Sequence, residues 1–280
     1  MTDSLDIFIH AHPDDIELFM GIAVKQAIDS NHKVVMLLAT AGDGGRKNTL
    51  LEAKNGNLVR YPEARLLAHD AAIKHLVGSS ADPILSCHII NGHILTEDNF
   101  DNRVYSYNLM LPDGYRGVGF AGNNFETLEK LYLGKIQTIK SIDNNVYHNL
   151  NDLKNTIVSL LSLHIATSQK ITFHIPEFDE IKNKGAHSDH FHVSRLMMDL
   201  FSEKAFTKEN RGGMEVKLYS DYINASKPIN VSPEMERFHR DLNDIMDDVL
   251  IANGRPENVR TLHLAFLAKE YVTSSFVMGG

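Results

Sequence analysis

The opening of the chain constrains the fold more than any other stretch. Residues 5–11 are short and apolar, as a buried strand is, and the turn His12-Pro13-Asp14-Asp15 follows them. From Ile16 to Ser30 apolar side chains recur at helical spacing, with Leu18, Phe19, Ile22, Ala23 and Ile28 on one face. Asp15 is placed to cap that helix, and Glu17 lies in its first turn, where the helix dipole favours a carboxylate. Residues 33–39 read as a second strand, rich enough in Val, Met and Leu to be buried on both faces. Strand, helix and strand in that order predict a right-handed βαβ unit in a parallel sheet.

The rest of the chain fits the same α/β class, a Rossmann-like, mostly parallel sheet flanked by helices. A polar, Gly-rich loop at 40–48 leads to a helix at 63–76 and a strand around Cys87. Strands are expected at 170–175 and, near the edge of the sheet, at 214–219. Helices are expected at 152–163, within 187–201 after a short loop, at 233–251 and at 256–268. Residues 91–124 interrupt this pattern. Turn signals such as Asn91-Gly92, Asp113-Gly114 and Gly122-Asn123 crowd there, so the stretch reads as an irregular insertion with a strand at 104–111. With 280 residues, no internal repeat and no linker, the chain is expected to be one domain over 1–280.

Composition narrows the function classes. The formal net charge is -8 and no basic stripe of note stands out, which argues against a nucleic-acid partner. No apolar run approaches the roughly 20 residues of a membrane-spanning helix, and no secretory signal opens the chain. The single cysteine excludes an intrachain disulfide and a multi-cysteine zinc site. Cys87 itself, inside Ile84–Ile90, is expected to be a small buried core residue. These features fit a cytoplasmic protein; they leave its oligomeric state open.

Chemistry concentrates at two places. In an open α/β sheet, ligands bind where strands end, and His12-Pro13-Asp14-Asp15 sits at such an end. Imidazole and carboxylate are suitable ligands for a divalent zinc ion. Of two adjacent carboxylates on a turn, one can hold a metal while the other takes a proton from water. A capped turn explains the same tetrapeptide equally well. The second cluster, His187-Ser188-Asp189-His190, follows the strand at 170–175 and puts two imidazoles and a carboxylate together. His192, beside Phe191, reads as a packing or surface residue, and Asp43 in the Gly-rich loop reads as a turn residue.

Taken together, the clusters resemble the PIG-L or LmbE-like family of zinc-dependent N-acetylglucosaminyl deacetylases. The family's first motif is matched throughout by Ala11-His12-Pro13-Asp14-Asp15. Its later His-Pro-Asp-His is matched by His187-Ser188-Asp189-His190, with Ser where Pro is usual. Between them, Thr40-Ala41-Gly42-Asp43 and Arg60-Tyr61-Pro62-Glu63-Ala64 resemble two shorter family segments, and the likeness runs in order over roughly residues 5–200. The resemblance implies that His12, Asp15 and His190 bind Zn2+, a site that Fe2+ could also occupy. It further implies that Asp14 is the general base and that His187 stabilises an oxyanion or protonates the leaving amine. Asp189 would orient His187, and Arg60 would contact a phosphate or hydroxyl of the substrate. The implied reaction removes an N-acyl group, most simply acetyl, from an amino sugar or a related small molecule.

Two other readings compete. His10 and His12 form a His-x-His pair that some other metallohydrolase, such as a phosphatase or amidohydrolase, would use, although His10 lies one step further into the strand. A metallo-β-lactamase-like motif would need a histidine where Gly185 stands. The third reading is a non-catalytic Rossmann-like binding module, against which stands the presence of all the functional side chains of both motifs.

Overall fold

The protein is described by a computed structural model covering residues 4–206, 213–256 and 263–278. The expected unit opens it: β1 (Ser4–His10), α1 (Asp15–Asp29) and β2 (Lys33–Thr40), with β1 and β2 parallel. Asp14, not Asp15, is the residue before the helix, and neither side chain caps it. The Asp15 carboxylate instead turns back to accept the His12 backbone N–H at 2.8 Å.

A small hairpin, β3 (Leu50–Glu52) and β4 (Leu58–Arg60), precedes α2 (Tyr61–Val77). Three strands follow, β5 (Ile84–Ile90), β6 (His93–Phe100) and β7 (Val104–Leu111). The expected insertion is therefore more regular than its turn residues suggest. Asn91-Gly92 closes a hairpin between β5 and β6, and β7 runs parallel to β2. The long irregular stretch lies after Leu111, before the short helix α3 (Leu128–Tyr132). A two-residue pair, β8 (Ile139–Lys140) and β9 (Val146–Tyr147), then leads to α4 (Leu150–Ile165), β10 (Lys170–Pro176) and α5 (Ser188–Ser202). The chain closes with β11 (Met214–Tyr219), α6 (Pro233–Ala252) and β12 (Val272–Met278). The helix expected at 256–268 falls partly outside the described residues, and its described part from His263 onward forms turns.

The main sheet runs β12-β11-β10-β1-β2-β7-β6-β5, with β11, β10, β1, β2 and β7 mutually parallel. Only β6 and β12 run against their neighbours. Central strands alternate between two cores. Leu5, Ile7 and Ile9 of β1 join Val35 and Leu37 of β2 on the side packed by α4 and α5. Phe8, Val34, Met36 and Leu38 face α1 on the other side. Burial on both faces is what the apolar run of β2 implied.

Cys87 departs from expectation. It is exposed, because β5 is the outermost strand, and Leu85 and Ile89 on it are 73% and 78% exposed. An apolar run does not reveal which strand will lie at an edge.

A polar cluster sits under α1 and α2. His69 Nδ1 meets Glu17 Oε1 at 2.5 Å and its Nε2 meets Ser106 Oγ at 2.9 Å. Beside it, burial and the nearby charges of Asp98 and Glu17 push the Asp70 carboxyl from an ordinary 3.8 up to about 7, against the pull of His69. Between those two values the folded chain binds more protons than the unfolded chain, so stability falls as pH rises through that window. Asp70→Asn removes the effect. It should raise the urea midpoint at pH 8 by the equivalent of about 2 kcal/mol and by much less at pH 4, where the folded carboxyl is protonated and the unfolded one only partly ionised. An equal gain at both pH values would show that charge is not the cause.

Candidate metal centre and active site

Every imidazole and carboxylate of the candidate site comes from the carboxyl end of a parallel strand, or from the helix that follows it. His12 and Asp15 follow β1, His187 to His190 open α5 after β10, Asp221 follows β11, and Asp113 follows β7. The sheet thus gathers residues from both halves of the chain at one end.

Three of them converge. Asp15 Oδ2 lies 2.9 Å from His12 Nδ1 and 3.1 Å from His190 Nε2, and those two nitrogens are 3.1 Å apart. All three side chains are buried. Two nitrogens and an oxygen separated this way suit one small divalent ion with ligand bonds of about 2.0–2.2 Å. The sequence-expected ligand set is therefore brought together.

The imidazoles are oriented from behind. Asp221 Oδ2 lies 2.8 Å from His190 Nδ1 and accepts from Asn183 Nδ2 at 2.7 Å, while its Oδ1 lies 3.2 Å from His10 Nε2. A carboxylate only accepts, so His190 Nδ1 carries a proton, and Nε2 is the nitrogen a metal would take once its own proton leaves. Burial opposes charge on His190, but Asp15 and Asp221 outweigh it and hold the pKa up at about 9. Burial likewise opposes ionisation of Asp221, yet His190 and His10 hold it down at about 2. Asp221→Asn is expected to weaken metal binding by about 10–100-fold while leaving the ligand set intact, measurable by competition with a chelator of known affinity.

His10 takes the other flank of Asp221. Its Nδ1 accepts the Ala11 N–H at 2.9 Å and lies 2.9 Å from Asp15 Oδ2. Among the described residues no candidate metal group contains both His10 and His12. His10 belongs instead to a hydrogen-bonded set with Asp221 and His190.

The rim carries the remaining expected residues. Asp14 is one-fifth exposed and receives the Arg65 guanidinium, which also donates to Gly42 O at 2.9 Å. Gly42 is at φ +55, and a Cβ there would sit 2.4 Å from Arg65 Nη1, so only glycine lets this arginine reach Asp14. Arg60 is engaged elsewhere. It bonds Glu63 through Nε and Nη2 at 2.9 and 2.7 Å, closing the start of α2.

His187 precedes α5, and its ring packs edge-on against His12, with centroids 4.7 Å apart. Asp189 is fully buried between them, its Oδ2 3.4 Å from both His12 Nε2 and His187 Nδ1. The same oxygen accepts the Gly114 N–H at 2.7 Å. This is how the loop after β7 enters the site, and it brings Asp113 within 3.6 Å of His187. Asp43 anchors that loop by accepting from Asp113 N at 2.8 Å and Asn123 Nδ2 at 3.0 Å, the structural role its turn suggested. His192 is buried against Ser188 O at 2.8 Å, a packing residue.

Sequence reasoning missed Asp221, Asp113 and Arg65. The rule that drew attention to His12 applies equally to the first two, since Asp221 and Asp113 each lie two residues beyond a strand of the same parallel set.

Fold and site together define an α/β protein with a His-Asp-His cluster at the strand ends whose donor atoms could hold a metal ion. Residues 7–100 match the family model described as PIG-L, GlcNAc-PI de-N-acetylase. No curated protein matches the chain. The N,N'-diacetylchitobiose deacetylase from Pyrococcus horikoshii shares the fold with a TM-score of 0.50 at 13% identity, covering 95% of this chain and 75% of its own. A deacetylase triple mutant (Orf2*T) of the teicoplanin biosynthetic pathway gives 0.47 at 15% identity, covering 93% and 88%. GalB, the 4-carboxy-2-hydroxymuconate hydratase from Pseudomonas putida KT2440, gives 0.42 at 11% identity, covering 94% and 83%. At these identities the likeness concerns the fold. Among the described residues no helix is long and apolar enough to cross a membrane.

Proposed function

We propose that this protein is a metal-dependent amide hydrolase that removes an N-acyl group, most simply acetyl, from an amino sugar or a related small molecule. The observation that carries this is the convergence of His12 Nδ1, Asp15 Oδ2 and His190 Nε2 within 3.1 Å, with Asp14 and His187 at the rim. The family match over residues 7–100 supports the same reading.

A divalent ion, zinc or iron(II), held by those three residues would polarise the amide carbonyl and bring the pKa of water from about 15.7 towards about 7. Asp14, at the rim and paired with Arg65, would take the proton of the attacking water. His187 supplies positive charge to the developing oxyanion, or a proton to the departing amine nitrogen. The acyl carbon gains the water oxygen, the C–N bond breaks, and a carboxylate and a free amine leave. Asp189 holds His187 and His12 in register from between them. A substrate contact by Arg60 requires it to part from Glu63. Arg65 is the guanidinium already at Asp14. The substrate is a small molecule, and the continuous sheet from Ser4 to Met278 supports one domain over 1–280.

The test is free-amine release from a panel of N-acetylated amino sugars by metal-loaded protein, with Asp14→Asn beside it. Turnover should fall by about 10²–10⁴-fold in the variant while bound metal stays constant. Loaded protein that releases amine from no N-acyl compound would refute the reading. Full turnover in Asp14→Asn would leave the reaction standing and remove Asp14 as the base.

A further inference from the structure

The three-residue cluster uses His12 on one side only. Its Nδ1 faces Asp15 and His190, while its Nε2 points away, 3.4 Å from Asp189 Oδ2 and 3.9 Å from Asp113 Oδ2. That nitrogen is buried and has no hydrogen-bond partner, and the same is true of Asp189 Oδ1. Leaving such groups bare is costly, and the two belong to neighbouring side chains, which marks a place built for something else to bind. His187 completes the arrangement, with Nε2 3.6 Å from Asp113 Oδ1 and Nδ1 3.4 Å from Asp189 Oδ2. Each of the four residues offers one donor atom, and those atoms all lie within 4.8 Å of one another.

We propose that Asp113, His187 and Asp189, with Nε2 of His12, form a second divalent-cation site beside the His12-Asp15-His190 centre. The inference rests on the proposed function for the neighbouring ion only; its own ligands stand on the geometry above. Two carboxylates and two imidazoles suit zinc, iron(II) or manganese(II). The carboxylates are set by the backbone before any ion arrives. Gly114 N–H holds Asp189 Oδ2 at 2.7 Å, and Tyr115 N–H holds Asp113 Oδ1 at 2.8 Å. Those two oxygens lie 3.4 and 3.6 Å from the imidazole nitrogens, so each N–H fixes a donor atom already turned towards the site. With both sites filled, His12 bridges the ions as an imidazolate and its Nε2 proton passes to solvent. A filled second site also occupies His187, which then holds metal in place of a proton.

The experiment is equilibrium dialysis of chelator-stripped full-length protein against rising free Zn2+, with bound metal measured by elemental analysis and folding checked by circular dichroism. Wild type should take up two ions per chain, the second at least about tenfold more weakly. Asp113→Asn and His187→Gln should each stop at one ion, so the result does not hang on one variant. Cobalt(II) added to wild type should give two successive visible spectra, a readout that needs no variant at all. Saturation at one ion that is lost in Asp15→Ala and kept in Asp113→Asn overturns this proposal and leaves the hydrolase reading standing. A second ion that persists in both Asp113→Asn and His187→Gln also overturns it. A single ion lost in Asp113→Asn but kept in Asp15→Ala supports this site and overturns the three-residue centre. No bound ion under any condition sinks both.

Discussion

Asp15→Ala and His190→Ala should each arrive from purification without their tight metal. Wild-type protein is expected to carry about one firmly held divalent ion per chain, and each variant less than about a tenth of that. Amine release should fall by about 10³-fold or more, since the ion is asked to supply several kcal/mol of charge stabilisation. Asp15 does more than ligate. Its Oδ2 also accepts the His12 backbone N–H and lies against His10, so alanine strips a buried anion from several partners at once. A lower melting temperature is therefore expected for Asp15→Ala. The milder Asp15→Asn, which keeps an oxygen near His12 N–H, separates loss of metal from loss of fold. Tight metal retained in both alanine variants would place the centre elsewhere, with His12, Asp113, His187 and Asp189 as the next candidate group.

The second large effect is expected at a residue with no side chain. A Cβ at Gly114 would sit 2.3 Å from Asp189 Oδ1 and 3.0 Å from its Cγ. Asp189 cannot yield easily, because it is fully buried and wedged between His12 and His187. Gly114→Ala should therefore cost about 1–3 kcal/mol of stability by overpacking, and shift Asp189 relative to both imidazoles. Turnover should fall with metal content largely retained, since the clash is on the Asp189 side of His12, away from Asp15 and His190. A variant with wild-type stability and rate would mean that the loop after β7 gives way without disturbing the site.

What could be read in the sequence was what lies contiguously. The βαβ opening, the candidate cluster residues at 12, 15 and 190, and the turn around Asp43 all follow from short windows, because strand, turn and helix periodicity are local. The strands β6 and β12 were missed for the converse reason. Thr96-Glu97-Asp98-Asn99 and Thr273-Ser274-Ser275 carry little apolar signal, and they are strands because a neighbour pairs with them. The exposure of Cys87 is likewise a property of strand order. Asp221 and Arg65 were hidden by distance. Asp221 meets His10 across most of the chain and His190 from the next strand, and Arg65 reaches Asp14 only because α2 lies beside α1 and Gly42 leaves room. Asp113 was hidden by its neighbours, since the turn residues around it made the whole of 91–124 look irregular.

The place of β1 in the middle of the sheet bears on how the molecule is made. Ser4 pairs with Lys170 on one side, while Leu5 pairs with Lys33 on the other. During synthesis, β1 and β2 can meet early, but the first strand waits for β10 before its second edge is covered. His190 and Asp221 emerge later still. Folding is thus dominated by contacts distant in sequence, which makes it slow. Until α5 docks behind β10, a growing chain holds only two of the three candidate ligands, so tight metal capture should be among the slowest kinetic phases of refolding. Free divalent ion in the refolding buffer would then draw the chain towards the completed sheet by mass action.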